Sequence, residues 1–248
     1  MSDPTAPTVL PLLAVRVGDV PERAVVVGDP ARAAAIAARI DGAREIGRNR
    51  EYVTFVGRHR GVEVAVASHG VGAAGAAICF EELCRAGARS LVRAGTCGGL
   101  DPDVVDGHLV IATAAARDEG LTVRLVPTGF PAVADVDVVV ALRAAAATTG
   151  APVREGVVLT SDLFYPHDVL GADLERWARA GAVAVEMECA ALFVVAALHG
   201  ARAGAVLAVD GNPLARGDVE MAGYDPHRPV VRDAIDAAAT TALDALVA

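Results

Sequence analysis

Lysine is absent from this sequence of 248 residues, in which all 22 basic residues are arginines. Schiff-base enzymes need a lysine amine and P-loops need a lysine for the phosphates, so both classes are excluded. The arginines are outnumbered by 31 acidic residues, which gives a formal net charge of −9. This balance argues against a nucleic-acid partner and against binding to an acidic membrane surface.

The sequence also lacks a long apolar run, although 54% of its residues are hydrophobic. Much of that fraction is alanine, and no stretch approaches the roughly 20 apolar residues that a membrane span requires. Residues 1–8 contain neither the basic segment nor the apolar segment of a signal peptide. We therefore expect a cytoplasmic protein that does not enter a membrane.

Cysteines and aromatic residues are few. The four cysteines, at positions 79, 84, 97 and 189, form no CxxC pair. Their spacing predicts reduced thiols and neither a zinc site nor a disulfide framework. Only 4% of the residues are aromatic, yet Phe164 and Tyr165 are adjacent and follow a predicted strand over 153–160. This position suits contact with a flat ligand, and ordinary packing explains it equally well.

The most informative stretch is SLVRAGTCGG at residues 90–99, which predicts a buried strand that runs into a glycine-rich turn. Arg93 interrupts the apolar run, and a buried guanidinium needs an anion or a set of acceptors to replace its hydration. Gly95 and Gly98 let the backbone approach a ligand, and Thr96 supplies a hydroxyl. The stretch indicates either half of an anion site or an arginine paired with a structural carboxylate.

A second candidate for anion binding lies at Gly28-Asp29-Pro30, where a short apolar run ends. Asp29 is a plausible N-cap and Pro30 a natural first residue of the alanine-rich helix that follows. Arg32 would then lie in the first turn, beside free backbone N–H groups that favour anions. The alternative is an arginine on a solvated helix face.

Glycines 70, 72 and 75 form a GxGxxG pattern after a strand. The next strand offers no acidic residue for a ribose diol, so the pattern does not indicate a dinucleotide site. It predicts a strand-to-helix turn that is tightly packed or able to accept a phosphate.

Two carboxylates, Glu186 and Glu188, lie in the apolar segment 183–193. Buried glutamates are uncommon unless they are paired, so we expect one to pair with an arginine such as Arg93 and the other to accept hydrogen bonds from a sugar diol. The chain has no internal repeat or linker. It is therefore predicted to form a single domain over 1–248, with residues 1–20 as an irregular N-terminal arm.

Several short segments, in this order and spacing, resemble type I nucleoside phosphorylases, the group of bacterial purine nucleoside and uridine phosphorylases. The resemblance covers nearly the whole chain, and the segments are GDPAR at 28–32, REY at 50–52, SHGVG at 68–72, RAGTCG at 93–98, FPAVAD at 130–135, SDLFY at 161–165 and EME at 186–188. It implies an α/β fold, a single-domain three-layer sandwich around a mixed, partly barrel-like sheet. It also implies a homo-oligomer, at least a dimer and by the family pattern a trimer of dimers.

The resemblance further implies phosphorolysis of a nucleoside, with inorganic phosphate as co-substrate and no metal or organic cofactor. By the family pattern, phosphate would be held by Gly28, Arg32, Arg93, Thr96 and, from the neighbouring subunit, Arg50. Ribose would be held by Met187, Glu188 and Glu186. The base would be lined by Cys97, Gly98, Phe164, Tyr165, Asp210 and Asn212. The catalytic residues would be Arg93 and Asp210.

Departures from the family pattern leave the base open. Purine phosphorylases carry a Ser-Asp pair where this chain has Asp210-Gly211, so Asp210 is either an acid displaced by one residue or a capping residue. Asn212 matches an asparagine of uridine phosphorylases, but their Gln and Arg are replaced by residues 166–170, which include Asp168. The histidine of the family's N-terminal arm is missing near Leu10.

The resemblance therefore implies a nucleoside phosphorylase with a purine or non-standard base favoured. Three alternatives stay open, namely a uridine phosphorylase, a nucleosidase of the same superfamily that uses water, and a non-catalytic nucleoside-binding protein. Phosphate dependence distinguishes a phosphorylase from a nucleosidase, because a nucleosidase has no phosphate to hold.

Overall fold

A computed structural model describes residues 8–165, 173–214, 225 and 227–248. The strands are β1 Arg23–Val27, β2 Asp41–Asn49, β3 Tyr52–His59, β4 Val62–Ser68, β5 Ser90–Gly99, β6 Leu109–Asp118, β7 Ala132–Val133, β8 Val153–Ser161, β9 Ala184–Glu186 and β10 Arg202–Gly211. The helices are α1 Pro30–Ala37, α2 Ala73–Ala86, α3 Thr122–Leu125, α4 Val136–Ala146, α5 Leu174–Arg179, α6 Cys189–Leu198 and α7 Pro229–Leu246.

All ten strands belong to one mixed sheet with the order β10-β6-β8-β9-β5-β1-β4-β3-β2, and β7 pairs with β6. Because β10 also pairs with β5, the strands β5, β10, β6, β8 and β9 close into a ring, while β1, β4, β3 and β2 extend the sheet from it. The predicted α/β class with a mixed, partly barrel-like sheet is confirmed.

The core consists mainly of alanine, valine and leucine. Residues 24–27 of β1 are fully buried on both sides of the strand, as expected where helices cover both faces of a sheet. Among the helices, α2 packs with α6 and α4 packs with α7. The approach of α4 to β10 is so close that a Cβ on Gly204 would lie 2.5 Å from a methyl of Val138.

The parallel pairing of β1 with β4 and β5 brings three chain segments to one edge of the sheet. Val27 lies opposite Ser68, and Val26 lies opposite Arg93. The segments that follow β1 and β4, beginning with Gly28 and His69, therefore meet beside Arg93. Ligands of open α/β sheets bind at the carboxyl ends of the strands, so the topology points to this edge.

Two strand-like runs at residues 52–57 and 62–67, joined by the turn-like segment 58–61, predict a hairpin. The structure confirms this hairpin as β3 and β4, with Arg58 opposite Glu63. The sequence also predicts a helix over residues 131–149, with Asp135 near its start. The observed helix α4 begins only at Val136, because residues 132–133 pair with β6 and Asp135 caps the helix through the amide of Val138. Among the described residues, no helix is long and apolar enough to cross a membrane.

Candidate active site

Arg93 is buried in β5 and faces two carboxylates. Its Nη2 donates a hydrogen bond to Glu188 Oε2 and lies 3.7 Å from Glu186 Oε2. Burial alone would lower the pKa of Arg93, but Glu188 and Glu186 raise it, so the guanidinium stays charged. Its Nε and Nη1 are also buried, and they have no hydrogen-bond partner within the described part of the chain. Both sequence hypotheses for Arg93 are thus compatible with one arrangement, a carboxylate partner on one side and unused donors on the other.

Gly95 is the reason that the guanidinium fits. A Cβ at this position would lie 1.7 Å from Arg93 Nη1, a separation that no side chain tolerates. Residues 93 and 95 face the same side of β5 because strand side chains alternate. The glycine therefore provides the space into which Arg93 folds.

Glu188 lies at the start of α6 and connects three segments of the site. Its Oε1 accepts a hydrogen bond from the Gly72 amide at 2.6 Å, and its Oε2 accepts one from Arg93. Burial would raise the pKa of Glu188, but Arg93, His69 and the Gly72 amide outweigh it and the pKa is lowered. Glu188 is therefore a carboxylate whose oxygens point at the meeting place of β5, α2 and α6.

Glu186 has a different set of contacts. It accepts hydrogen bonds from Thr160 Oγ1 at 2.5 Å, from the Glu188 amide at 2.7 Å and from the Cys189 amide at 2.9 Å. Burial raises the pKa of Glu186, against the opposite effect of Arg93. The carboxylate thus occupies the N-terminus of α6, where free amides attract an anion.

The turn after β1 forms another part of the site, next to the turn that follows β4. Asp29 accepts a hydrogen bond from the Ala31 amide at 2.8 Å and caps α1, with Pro30 as the first helical residue. Arg32 is half-buried in the first turn, as predicted. A Cβ on Gly28 would lie 3.3 Å from the Gly70 oxygen, so this turn packs closely on the turn that follows β4.

Thr96, Cys97 and Gly98 continue β5 toward the end of β10. Thr96 and Gly98 are half-buried and Cys97 is buried. Burial, together with the negative charge of Asp210, raises the pKa of the Cys97 thiol well above its usual range, so the thiol stays protonated.

Asp210 is buried beside this segment. The ladder between β10 and β5 shifts register there, since Val209 lies opposite Cys97 and Gly211 lies opposite Gly98. Asp210 is therefore the extra residue of a β-bulge, a feature that redirects a side chain. Its backbone oxygen accepts a hydrogen bond from Arg228 Nη2 at 3.1 Å.

The remaining candidate residues differ in their exposure to solvent. Phe164 and Tyr165 contact each other edge to face, with ring centroids 5.0 Å apart, and are 46% and 75% exposed. Neither ring is buried in the core. Met187 is half-buried, and Asn212 Oδ1 accepts a hydrogen bond from the Leu214 amide at 2.8 Å. Asp168 and the loop 166–170 lie outside the described residues.

Arg50 lies at the end of the sheet where β4 ends, since the Ser68 hydroxyl donates to the backbone oxygen of the adjacent Glu51 at 2.6 Å. It is exposed in the two-residue turn between β2 and β3, with a φ of 54°, in the left-handed region. The neighbouring Asn49 donates to the Leu12 oxygen at 3.1 Å and so joins the turn to the N-terminal arm. In that arm, the described residues from 8 to 20 contain only an isolated bridge between Val9 and Arg16.

Three residues that the structure brings to the site were not among the predicted site residues. They are His69, whose ring is fully buried near Arg93 and Glu188, Gly72, whose amide holds Glu188, and Thr160, whose hydroxyl holds Glu186. The sequence signal for His69 and Gly72 was their place in the SHGVG segment directly after a strand. Thr160 carries no such signal, because a threonine at a strand end is common.

Comparisons with known proteins agree with this arrangement. Residues 22–248 match the model of the phosphorylase superfamily. The chain is 40% identical over 190 residues to a purine nucleoside phosphorylase of Plasmodium falciparum, which covers 76% of this chain and 78% of that protein. It is 39% identical over 213 residues to a uridine phosphorylase of Treponema pallidum, which covers 82% and 83%.

Among solved structures, the purine nucleoside phosphorylase of Toxoplasma gondii in complex with immucillin-H superimposes with a TM-score of 0.90. The two chains are 32% identical, and the match covers 96% of this chain and 95% of the other. With this similarity in both sequence and fold, the chain belongs to the phosphorylase superfamily, in the group that contains the purine nucleoside and uridine phosphorylases.

Proposed function

We propose that the protein is a pentosyltransferase that carries out reversible phosphorolysis of a nucleoside, giving free base and (deoxy)ribose 1-phosphate. The observation that carries this proposal is Arg93, which is held by Glu188 on one side and has two buried N–H donors without a partner among the described residues on the other. A nucleosidase that uses water needs no such donors. Inorganic phosphate fills this role as co-substrate, and the mechanism requires no metal or organic cofactor.

Phosphate binds between the carboxyl ends of β1 and β5. We assign the Gly28 turn, Arg32 and Thr96 to the same phosphate as Arg93, and the N-terminus of α1 adds backbone amides that favour an anion. These groups hold the phosphate so that one of its oxygens faces C1′ of the sugar. Such positioning of two reactants is a large part of the rate enhancement.

Ribose binds at Glu188 and Met187. The Glu188 carboxylate is ionised, because the charge of Arg93 holds its pKa low, so it accepts hydrogen bonds from the sugar hydroxyls. Glu186 makes its hydrogen bonds to Thr160 and to the first amides of α6. We therefore assign Glu186 to positioning Glu188 and not to direct contact with the sugar.

In the reaction, a phosphate oxygen forms the bond to C1′ while the bond from C1′ to the base nitrogen breaks. The electrons of that bond go to the base, and positive charge develops on the sugar in an oxocarbenium-like transition state. Phosphate, held by the arginines, stabilises this charge from one face. Catalysis by Arg93 is thus electrostatic and positional.

The departing base acquires negative charge and needs a proton donor or a hydrogen bond. Asp210, buried in the bulge beside Cys97, is the proposed acid, and Phe164, Tyr165 and Gly98 line the base. Similarity to purine nucleoside phosphorylases supports a purine or a related base. A uridine phosphorylase is the second candidate, supported by the Treponema relative and by Asn212.

The partner proposal concerns Arg50. It is exposed at the tip of the β2–β3 turn, as expected of a residue that reaches the phosphate site of a neighbouring subunit. The active unit is then at least a dimer, and a trimer of dimers follows the family pattern. We further propose that the enzyme consists of a single domain and is cytoplasmic.

The test is release of base from inosine, adenosine, guanosine, uridine and 5′-methylthioadenosine, each with and without phosphate. We expect cleavage only with phosphate, and the preferred base then identifies the partner of Asp210. Cleavage in both buffers would show a nucleosidase instead. An Arg93→Gln variant, with Arg85→Gln on the exposed face of α2 as matched control, should lose phosphate-dependent turnover.

A further inference from the structure

His69 is a fully buried histidine at the edge of the site. Its Nδ1 lies 2.8 Å from the Gly70 oxygen, so Nδ1 carries the proton and Nε2 is an acceptor. Its ring packs edge to face on Phe80, with centroids 5.3 Å apart. Nε2 is buried and has no hydrogen-bond partner within the described ranges. A buried acceptor without a partner is costly, so this atom requires an explanation.

The surroundings of His69 are those of the proposed phosphate site. Its Cε1, the carbon next to Nε2, would lie 3.9 Å from a Cβ on Gly28. The charges of Arg93 and Arg32 both act on the ring, and Glu188 acts in the opposite sense. Burial, followed by Arg93, lowers the pKa of His69 to about 4, so the ring is neutral near pH 7.

Unpartnered donors and an unpartnered acceptor therefore share one site. Arg93 contributes the buried donors Nε and Nη1, and His69 contributes the buried acceptor Nε2. A ligand that satisfies all three must accept hydrogen bonds and also donate one. Monohydrogen phosphate does this, because it has anionic oxygens and one P–OH group. Sulfate has similar shape and charge but carries no O–H near neutral pH.

We propose that His69 is a specificity-determining residue that accepts a hydrogen bond from the P–OH group of the co-substrate and so selects phosphate over sulfate. The inference rests on the proposed function, since it presumes that the site binds phosphate. It adds a buried acceptor to a site whose arginines can only donate. A fully deprotonated anion would set its lone pairs against those of Nε2.

The experiment measures binding of phosphate and of sulfate by titration calorimetry, without nucleoside, at about pH 8, where both anions are mainly divalent. It compares the unsubstituted protein with His69→Phe, which keeps a ring against Phe80 but has no acceptor, and with His69→Gln, which restores one. His199→Phe, a histidine that pairs with Glu81 away from the site, is the matched control. Circular dichroism verifies that each variant folds.

We expect the unsubstituted protein to prefer phosphate by about tenfold or more, the order of one hydrogen bond in a buried site. His69→Phe should lose that preference, because it should weaken the binding of phosphate and not that of sulfate. His69→Gln should regain part of the preference, and His199→Phe should keep it. If His69→Phe keeps the preference, or weakens both anions equally, the inference is wrong.

Two further outcomes separate the inference from the proposed function. Failure of the unsubstituted protein to bind phosphate at all would overturn the proposed function itself. Unchanged anion binding by His69→Phe, with a raised KM for the nucleoside, would overturn the inference in favour of a sugar contact.

Discussion

Arg93 is a charged residue in the interior of an apolar strand, and its surroundings explain why the fold tolerates it. Glu188 accepts one of its hydrogen bonds, Glu186 lies 3.7 Å from the same nitrogen, and Gly95 leaves space for the guanidinium. Buried ion pairs contribute little net stability, because desolvation offsets much of the attraction. The charge is therefore better explained by function than by stability.

Replacing Glu188 with Gln should separate nucleoside binding from phosphate binding. The amide keeps the size of the side chain but removes the charge, so kcat/KM for the nucleoside should fall about 10- to 100-fold, as for loss of a charge-assisted hydrogen bond. Phosphate binding without nucleoside should stay equal or become tighter, because Arg93 loses its counter-charge. Steady-state kinetics and titration calorimetry measure the two effects, with Glu81→Gln on α2 as control.

His69 should make stability depend on pH. Burial lowers its pKa from 6.5 to about 4, so below pH 6.5 the unfolded chain binds a proton that the folded protein does not. The free energy of unfolding should be fully retained above pH 6.5 and should fall by roughly 1.4 kcal/mol per pH unit toward pH 4. Urea unfolding at a series of pH values measures this slope. His69→Phe should flatten it, and an unchanged slope would contradict the assignment.

At the scale of elements, the active site depends on how the N-terminus of α6 is held. Glu186 accepts a hydrogen bond from the Cys189 amide, the first of α6. Thr160, at the end of β8, donates to Glu186 and accepts a hydrogen bond from the Ala190 amide at 3.0 Å. The first turn of α6 is thereby tied to β8 and β9. Because Glu188 is the residue just before α6, these hydrogen bonds determine where its carboxylate points.

The N-terminal arm is tied down by a buried residue of α2. Glu82 accepts hydrogen bonds from the Leu13 amide at 2.7 Å and from the Leu12 amide at 3.1 Å. A Cβ on Gly47 would lie 2.3 Å from the Leu13 oxygen, so the arm also lies directly on β2. The arm and the Arg50 turn therefore form one connected unit.

Glu82→Ala should destabilise this unit. The change leaves buried backbone amides without an acceptor, so the free energy of unfolding should fall by about 2–3 kcal/mol, and the amides of Leu12 and Leu13 should exchange faster with solvent. The matched control is the adjacent Glu81→Ala, whose more exposed salt bridges predict a loss of about 1 kcal/mol or less. Equal effects of the two substitutions would contradict the proposal that Glu82 holds the N-terminal arm. Urea unfolding and hydrogen exchange provide the measurements.

At the scale of the whole molecule, the central question is whether one chain contains a complete site. The residues around Arg93 come from one chain, whereas Arg50 projects from a turn between β2 and β3. If Arg50 serves a neighbour, two damaged subunits should complement each other. This property follows from symmetric pairing and not from any single residue.

Mixing Arg50→Ala subunits with Arg93→Gln subunits, each expected to be inactive alone, tests this arrangement. In a randomly mixed dimer population, about a quarter of the sites combine an intact Arg93 with an intact Arg50 from the partner. We expect activity to recover to about that fraction after joint refolding. If Arg50 acts within its own chain, every mixed site carries a defect and the mixture stays inactive.

Sequence reasoning predicted much of the fold and part of the site. The α1 cap at Asp29, the hairpin of β3 and β4 and the burial of Arg93, Glu186 and Glu188 follow from local patterns that the structure confirms. The strand β2 was missed, because its sequence DGAREIGRN is polar and its side chains are largely exposed. An edge strand of this kind has no apolar alternation to reveal it.

What the sequence determined by itself is the set of chemical groups, namely an arginine and two glutamates in apolar segments, glycines at strand ends, and no lysine. Local spacing was enough for these because burial of a charge always requires a partner. Only the tertiary structure decided which partner serves which group. It pairs Arg93 with Glu188 and assigns Glu186 to the start of α6. It also displaces Asp210 by a bulge and buries the His69 ring where the charge of Arg93 acts on it. These pairings join residues distant in the chain, and strand register and helix placement alone fix such distances.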